Sequence, residues 1–177
     1  QPKWLLMCWS KKKKMKNQIN NSPVSQKLTI NLGARSYPIV INHSTFDFSG
    51  LTDQLKGKKI MIVSNETVAP LYLDQLTAAL PDTDVGSCVL PDGEVHKNST
   101  SWLKILDAMA SHGMTRSDVL LSLGGGVICD MTGFAAASWM RGVDFIQVPT
   151  TLLSQIDASV GGKTGINHAK GKNLIGA

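Results

Sequence analysis

Leu123-Gly124-Gly125-Gly126-Val127-Ile128-Cys129-Asp130 is the stretch whose residue types most plainly invite chemistry. It follows an apolar run and opens a helical one. Glycines at such a junction allow a tight turn and let a phosphate reach backbone N–H groups, where the helix N-terminus adds about half a positive charge. The match to G-x-G-x-x-G is incomplete, because Cys129 stands where the third glycine belongs. Asp144 lies twenty residues past Gly124 but precedes its strand, whereas a ribose-binding acid belongs at a strand's end. Two readings stay open on the turn alone: a phosphate cradle, or a glycine turn that only packs.

A second stretch, Pro91-Asp92-Gly93-Glu94-Val95-His96-Lys97, also leaves an apolar run. Asp92 and Glu94 can accept from ribose hydroxyls, and Lys97 can pair with a phosphate or with Glu94. The plainer alternative is a polar turn capping the helix that starts near Asn98. The third stretch runs from Pro149 to His168 and carries hydroxyls, Asp157 and Lys163 beside Gly161 and Gly162. Gly161-Gly162-Lys163-Thr164 matches the end of a phosphate-binding P-loop, yet the motif's first glycine would fall at Asp157, so the motif fails. Lys163, Lys172 and Asn173 remain as two cations and an amide suited to a phosphate or carboxylate. Taken singly, each could equally be a solvated surface residue. Their density in a segment rich in glycine (ten of the 16 glycines lie from Gly124 onward) favours a ligand.

The elements that must position these groups follow from the pattern of apolar residues. Lys27–Leu32 and Tyr37–Ile41 alternate about a turn at Gly33-Ala34-Arg35, which predicts a hairpin. Lys59–Ser64, Val85–Leu90, Asp118–Leu123 and Val143–Val148 read as strands. Thr67–Leu80, the segment around Trp102–Met109 and Val127–Met140 read as helices. Strand–helix alternation with short links predicts an α/β fold with a doubly wound, mostly parallel sheet. Ligands bind such sheets beyond the carboxyl ends of the strands, where all three stretches lie.

Composition removes several function classes. The net charge of +5 is concentrated in residues 1–16, which hold six lysines and no acid. The remaining 161 residues carry 12 basic and 13 acidic side chains, so no nucleic-acid or anionic-membrane partner is expected. No run of apolar residues is long enough to span a bilayer. Three scattered cysteines, Cys8, Cys88 and Cys129, suit a reducing compartment, and a cytoplasmic location is expected. Residues 1–26 read as a disordered, solvated extension. Their apolar stretch Trp4–Trp9 precedes the lysine run, the wrong order for a secretory signal. Met15 is a candidate native start.

Together these segments resemble the 3-dehydroquinate synthase family of sugar phosphate cyclases. The resemblance is carried by Ser64-Asn65-Glu66-Thr67 with Ala69-Pro70-Leu71-Tyr72-Leu73, and by Pro91-Asp92-Gly93-Glu94 with Lys97. It continues in GGGVICDMTGFAAASWMRG (124–142), FIQVPTTLLSQIDASVGGKTGINH (145–168) and GKNLIGA (171–177). Cys129 stands where the family usually has Gly, and Ala169-Lys170 where Pro-Leu is common. The resemblance implies a Rossmann-like N-terminal domain over 27–177 that binds NAD, with a helical C-terminal domain absent from this chain. It also implies a divalent metal, zinc or cobalt, whose ligands lie outside this sequence. The family converts 3-deoxy-D-arabino-heptulosonate 7-phosphate to 3-dehydroquinate and phosphate, a step of the shikimate route to aromatic amino acids.

By motif match, NAD contacts are implied at Asp92, Gly93, Glu94, Val95, His96, Lys97, Gly126, Val127, Ile128, Cys129, Asp130, Thr150, Thr151, Lys163 and Lys172. Asp157, Lys163, Lys172 and Asn173 would line the substrate. Arg141 would reach the substrate phosphate of a neighbouring subunit, which implies a homodimer. His43, His96, His112 and His168 show no metal-ligand spacing, so no metal residue is assigned. The chain by itself is expected to be inactive. Alternatives are a cyclase of the inosose or valiolone type, a metal-dependent polyol dehydrogenase, and a non-catalytic nucleotide-binding module.

Overall fold

The expected strands form, with additions at both ends. The structure, a computed structural model, describes residues 4–10, 26–43, 46, 48, 55–80, 82–158 and 160–177. Among the described residues, seven strands make one sheet: β1 (Trp4–Ser10), β2 (Gln26–Ile30), β3 (Tyr37–His43), β4 (Lys59–Asn65), β5 (Asp84–Leu90), β6 (Val119–Gly124) and β7 (Asp144–Pro149). Their order is β2-β3-β1-β7-β6-β4-β5. Only the β2–β3 hairpin, closed by a 3-10 turn at Gly33–Arg35, is antiparallel; every other neighbouring pair is parallel.

Strand β1 corrects the expected extension. Trp4–Ser10 pairs with β3 on one side and β7 on the other, an interior place in the sheet. Six apolar residues fall short of a signal peptide's apolar region but are enough for a strand. Residues 1–3 and 11–25, including the lysine run, lie outside the described residues.

Among the described residues, three α-helices cover the sheet: α1 (Ala69–Ala79), α2 (Ser99–Ser111) and α3 (Gly126–Ser138). Each boundary has a local cause. Pro70 sits in the first turn of α1, where its missing N–H costs nothing. Asn98 caps α2 by accepting from the Ser101 N–H, and Gly113, at φ +63°, ends it. Along β4 the side chains alternate between two cores. Met61 and Val63 pack with Ile105 and Met109 of α2 and Met131 and Ala135 of α3. Ile60 and Ile62 pack with Leu76 of α1, Leu55 and Phe48. Helices on both faces explain why β6 is buried throughout and β4 is buried at every residue after Lys59.

Helix α3 is buried along most of its length and packs tightly at Gly133. A methyl group there would overlap the Thr164 side chain and stand 3.0 Å from the Phe145 ring. The close helix–strand packing that the fingerprint assigns to its third glycine is supplied here by Gly133. Cys129 is 1% exposed and packs without difficulty, its thiol near Ser122 Oγ and the Gly124 carbonyl.

Strand registers align the carboxyl ends: Asn65 lies opposite Leu90, and Gly124 opposite Pro149. The loops after β4, β5, β6 and β7 therefore open on one rim. Past β7 the apolar pattern announces no strand. The structure adds a π-helical turn at Ser154–Ala158 and a two-stranded hairpin, β8 (Gly165–His168) with β9 (Gly171–Gly176).

Candidate functional site

A cleft of about 660 Å³ opens at that rim. Its lining includes Asp130, Asp157, Gly161, Gly162, Lys163 and Asn173. The N-terminus of α3 lies beside it: a methyl group on Gly126 would stand 3.5 Å from Cβ of Ala158, a residue of the lining. Gly125 is the helix N-cap and offers no side-chain oxygen to the first-turn N–H groups. The first-turn amides and the positive end of a 13-residue helix are thus left without a side-chain cap. A methyl group on Gly125 would meet Thr151 Cγ2 at 3.3 Å, so the turn and the loop after β7 are in contact. Thr150 is held beside the turn by its N–H, which donates to the Gly124 carbonyl at 2.9 Å. Its hydroxyl is buried and has no hydrogen-bond partner.

Lys97 ties the loop after β5 to helix α3 and strand β9. It is 4% exposed, and its Nζ donates to Asp130 Oδ2 at 2.5 Å and to Asn173 Oδ1 at 2.6 Å. Burial pushes the Asp130 carboxyl above the ordinary aspartate value. The Lys97 ammonium opposes that rise, and Glu94 and Asp157 add to it. Burial prevails because much of the pair's attraction is offset by the water both ions have lost. The upward pull puts both Glu94 and Asp157 within electrostatic reach of Asp130.

The turn after β5 is held from two sides. Gly93 adopts φ +111°, a conformation that side chains disfavour, and turns the chain into the 3-10 segment Glu94–His96. Asp92 accepts from Asn65 Nδ2 at 2.6 Å and Thr67 Oγ1 at 2.9 Å. Glu94 accepts from Asn167 Nδ2 at 2.8 Å and stands 3.9 Å from the Lys172 ammonium.

The structure thus gathers Asp92, Glu94, Lys97, Gly126, Asp130, Thr150, Thr151, Asp157, Lys163, Lys172 and Asn173 along one rim. Other expected residues stand apart. Ile128 and Cys129 bury their side chains in the core, and the Cys129 N–H donates within the helix to Gly125. Val95 is 78% exposed. Arg141 sits beyond the far end of α3, about 20 Å from the glycine turn by the rise of a 13-residue helix. Its φ of +68° and that of Met140 at +47° mark a sharp turn there.

Some structural contributors gave little signal in sequence. Tyr37, from the hairpin, accepts from the Gly161 N–H at 3.0 Å and anchors the glycine loop. Asn167 and Gly133 act through contacts that no spacing rule encodes. Among the described residues, no three His, Cys, Asp or Glu side chains come together as a metal site. No helix of the described residues is long and apolar enough to cross a membrane.

Comparison with known proteins adds to this geometry. The family model for the N-terminal part of 3-dehydroquinate synthase matches residues 87–177. The 3-dehydroquinate synthase of Pseudomonas putida (strain W619) is 56% identical over 153 residues, covering 86% of this chain and 42% of that protein. That of Methylococcus capsulatus is 52% identical over 151 residues, covering 85% of this chain and 42% of that protein. This chain therefore spans less than half the length of these curated relatives. Among solved structures, 2-epi-5-epi-valiolone synthase from Streptomyces hygroscopicus, with NAD+ and Zn2+ bound, superposes with a TM-score of 0.66 at 37% identity. It covers 72% of this chain and 36% of that one. A 2-deoxy-scyllo-inosose synthase gives 0.69 at 21% identity, covering 86% and 44%, a likeness of fold.

Proposed function

The chain belongs to the 3-dehydroquinate synthase family, and on that premise we propose that it supplies the NAD+-binding part of an enzyme converting 3-deoxy-D-arabino-heptulosonate 7-phosphate to 3-dehydroquinate and phosphate. The observation that carries the reading is the convergence of Glu94, Lys97, Asp130 and Asn173 at one rim, with Lys97 joining the last two. The residues fit the cofactor. The uncapped α3 N-terminus suits a pyrophosphate, and the orphaned Thr150 hydroxyl is a buried polar atom awaiting a partner. Asp92 and Glu94 are held where they can accept from ribose hydroxyls. Bound there, NAD+ would supply a reversible hydride acceptor.

The remaining work falls to the chain's own side chains. Lys163 and Lys172 offer cations to a sugar phosphate, and Asp157 and Asn173 offer hydrogen bonds to its hydroxyls. Fixed cations matter most as the phosphate departs, when charge grows on its oxygens. The described residues do not form a metal site, and no step is assigned to a metal. Identity of 56% to a 3-dehydroquinate synthase, against 37% to the valiolone synthase, favours the heptulosonate as substrate. We place the enzyme in the cytoplasm, in keeping with Cys88 and Cys129 standing outside any disulfide. We propose a homodimer in which Arg141, remote from its own cleft, serves the neighbouring copy.

Calorimetric titration of NAD+ tests the reading. One saturable site is expected on the wild-type chain. Gly125→Val, which puts a branched side chain into the cradle against Thr151, should weaken binding more than about tenfold, as expected for lost close approach of a phosphate to backbone. A folded chain that binds no NAD+, or binds it equally well with valine at position 125, would overturn the proposal.

A further inference from the structure

The β8–β9 hairpin carries Lys172 and Asn173 yet pairs with no strand of the main sheet, so other contacts must set its position. Ile166 supplies an apolar anchor, 1% exposed in the core with α2 and α3. The next residue, Asn167, supplies three polar ties. Its backbone N–H donates to the Lys97 carbonyl at 2.8 Å. Its Nδ2 donates to Glu94 Oε1 at 2.8 Å. Its Oδ1 accepts from the Asn173 N–H at 2.8 Å.

The hairpin's irregularity makes those ties available. Ile166 lies opposite Ile175 and His168 opposite Gly171, with a register shift between them. A bulge of this kind releases backbone groups from the ladder and re-aims a side chain. Asn173 takes φ +54°, a left-handed conformation that asparagine tolerates better than most residues. Its N–H thereby reaches Asn167, and its Oδ1 reaches Lys97.

We infer that Asn167 is a positioning residue for the cofactor and substrate site: its side-chain amide fixes Glu94 and Asn173 relative to each other, and through Asn173 it fixes Lys97 against Asp130. The functional consequence rests on the NAD+ reading above; the clasp itself does not. At neutral pH an amide meets the requirement and a carboxylate does not. One planar group must donate to a carboxylate and accept from an N–H at once. Aspartate of the same shape would keep the acceptor for Asn173 but turn a second carboxylate on Glu94. Two such groups at hydrogen-bond distance keep a proton between them well above the ordinary carboxylate range. The charged groups around Glu94 are Lys172 at 3.9 Å and Asp130, with Lys97 bonded to Asp130.

The experiment compares the wild-type chain with Asn167→Asp and Asn167→Leu by two readouts. Carboxyl NMR follows the acid groups without ligand, and calorimetry follows NAD+ affinity across pH. In Asn167→Asp the new pair should release its last proton about one pH unit or more above an ordinary carboxylate. Its NAD+ affinity should be near wild type at roughly pH 5, where the shared proton restores the bridge, and about tenfold weaker at roughly pH 8. Asn167→Leu should be about tenfold weaker at both. A merely structural asparagine would give no such rescue by acid. If no carboxyl in Asn167→Asp titrates high, the inference is overturned whether or not NAD+ binds. It is overturned too if both variants bind NAD+ as the wild type does. Failure of the wild type to bind NAD+ would instead remove the proposed function, leaving the clasp to be decided by the carboxyl titration.

Discussion

Replacing Lys97 by methionine removes the ammonium from the centre of the site while keeping most of its volume. The loss is felt by two groups that the structure holds against it: the Asp130 carboxylate at 2.5 Å and the Asn173 side-chain oxygen Oδ1 at 2.6 Å. Breaking a fully buried ion pair on one side costs about 3–5 kcal/mol. Here the Lys97 side chain is 5% exposed but that of Asp130 is 22% exposed, so water relieves part of the penalty. A cost of about 2–3 kcal/mol is expected for the pair, with about 1 kcal/mol more for the acceptor left without its donor. The cost depends on pH with a definite sign. Burial already raises the Asp130 carboxyl, and Lys97 is what restrains it. Without Lys97 the folded-state value climbs further above the unfolded one. Stability of the variant is then retained below the unfolded value and lost as pH rises through the folded value, at up to about 1.4 kcal/mol per pH unit. Urea unfolding followed by tryptophan fluorescence should show a larger deficit at pH 8 than at pH 4.5. Adding Asp130→Asn should recover about half of it, because a neutral pair needs no compensation. A deficit under about 1 kcal/mol, or one equal at both pH values, would refute the reasoning.

Three further outcomes follow from single contacts. Gly133→Ala forces a methyl against Thr164 and Phe145 and should cost about 1–3 kcal/mol by thermal or urea unfolding. Burial pushes the Asp118 carboxyl up, but hydrogen bonds from the N–H groups of Thr115 and Lys59 and from the Thr115 hydroxyl outweigh it and hold it below the ordinary value. Its contribution is present above the unfolded value and is lost as pH falls through the folded one, so Asp118→Asn should cost about 1–2 kcal/mol at neutral pH and progressively less in strong acid. Thr150→Val removes a buried hydroxyl that has no partner, so the free chain should gain about 1 kcal/mol in unfolding assays while its NAD+ affinity falls.

The parts of the fold legible in sequence are those where one local rule suffices. Lys59–Ser64 and Asp118–Leu123 are short runs dominated by apolar residues without alternation, and such runs become strands covered on both faces. Gly113 and Asn98 mark helix ends because each meets a local need. Strand β1 was hidden because six apolar residues before a lysine run have no partner in their own neighbourhood; β3 and β7 supply it from far along the chain. The β8–β9 hairpin was hidden for a related reason, since its register depends on a bulge and on Asn173 at positive φ. At the site, the glycine turn and the Asp92–Lys97 loop are visible as motifs, but each alone admits a plain structural reading. Lys97 changes that. Its contacts reach 33 and 76 residues along the chain, and only the folded sheet brings Asp130 and Asn173 to it. Asn167 and Tyr37 have no motif of their own, because what they do is join two distant loops.

The central claim is that one rim of the sheet cradles a dinucleotide, with its pyrophosphate on the first turn of α3. Backbone amide shifts on adding NAD+ to the isotopically labelled chain test it most directly. The account predicts the largest changes at Gly124–Val127, at Glu94–Lys97 and at Thr150 and Thr151, with Arg141 unmoved by direct contact. Changes centred on the opposite end of the sheet, or saturating shifts that leave the glycine turn untouched, would contradict it.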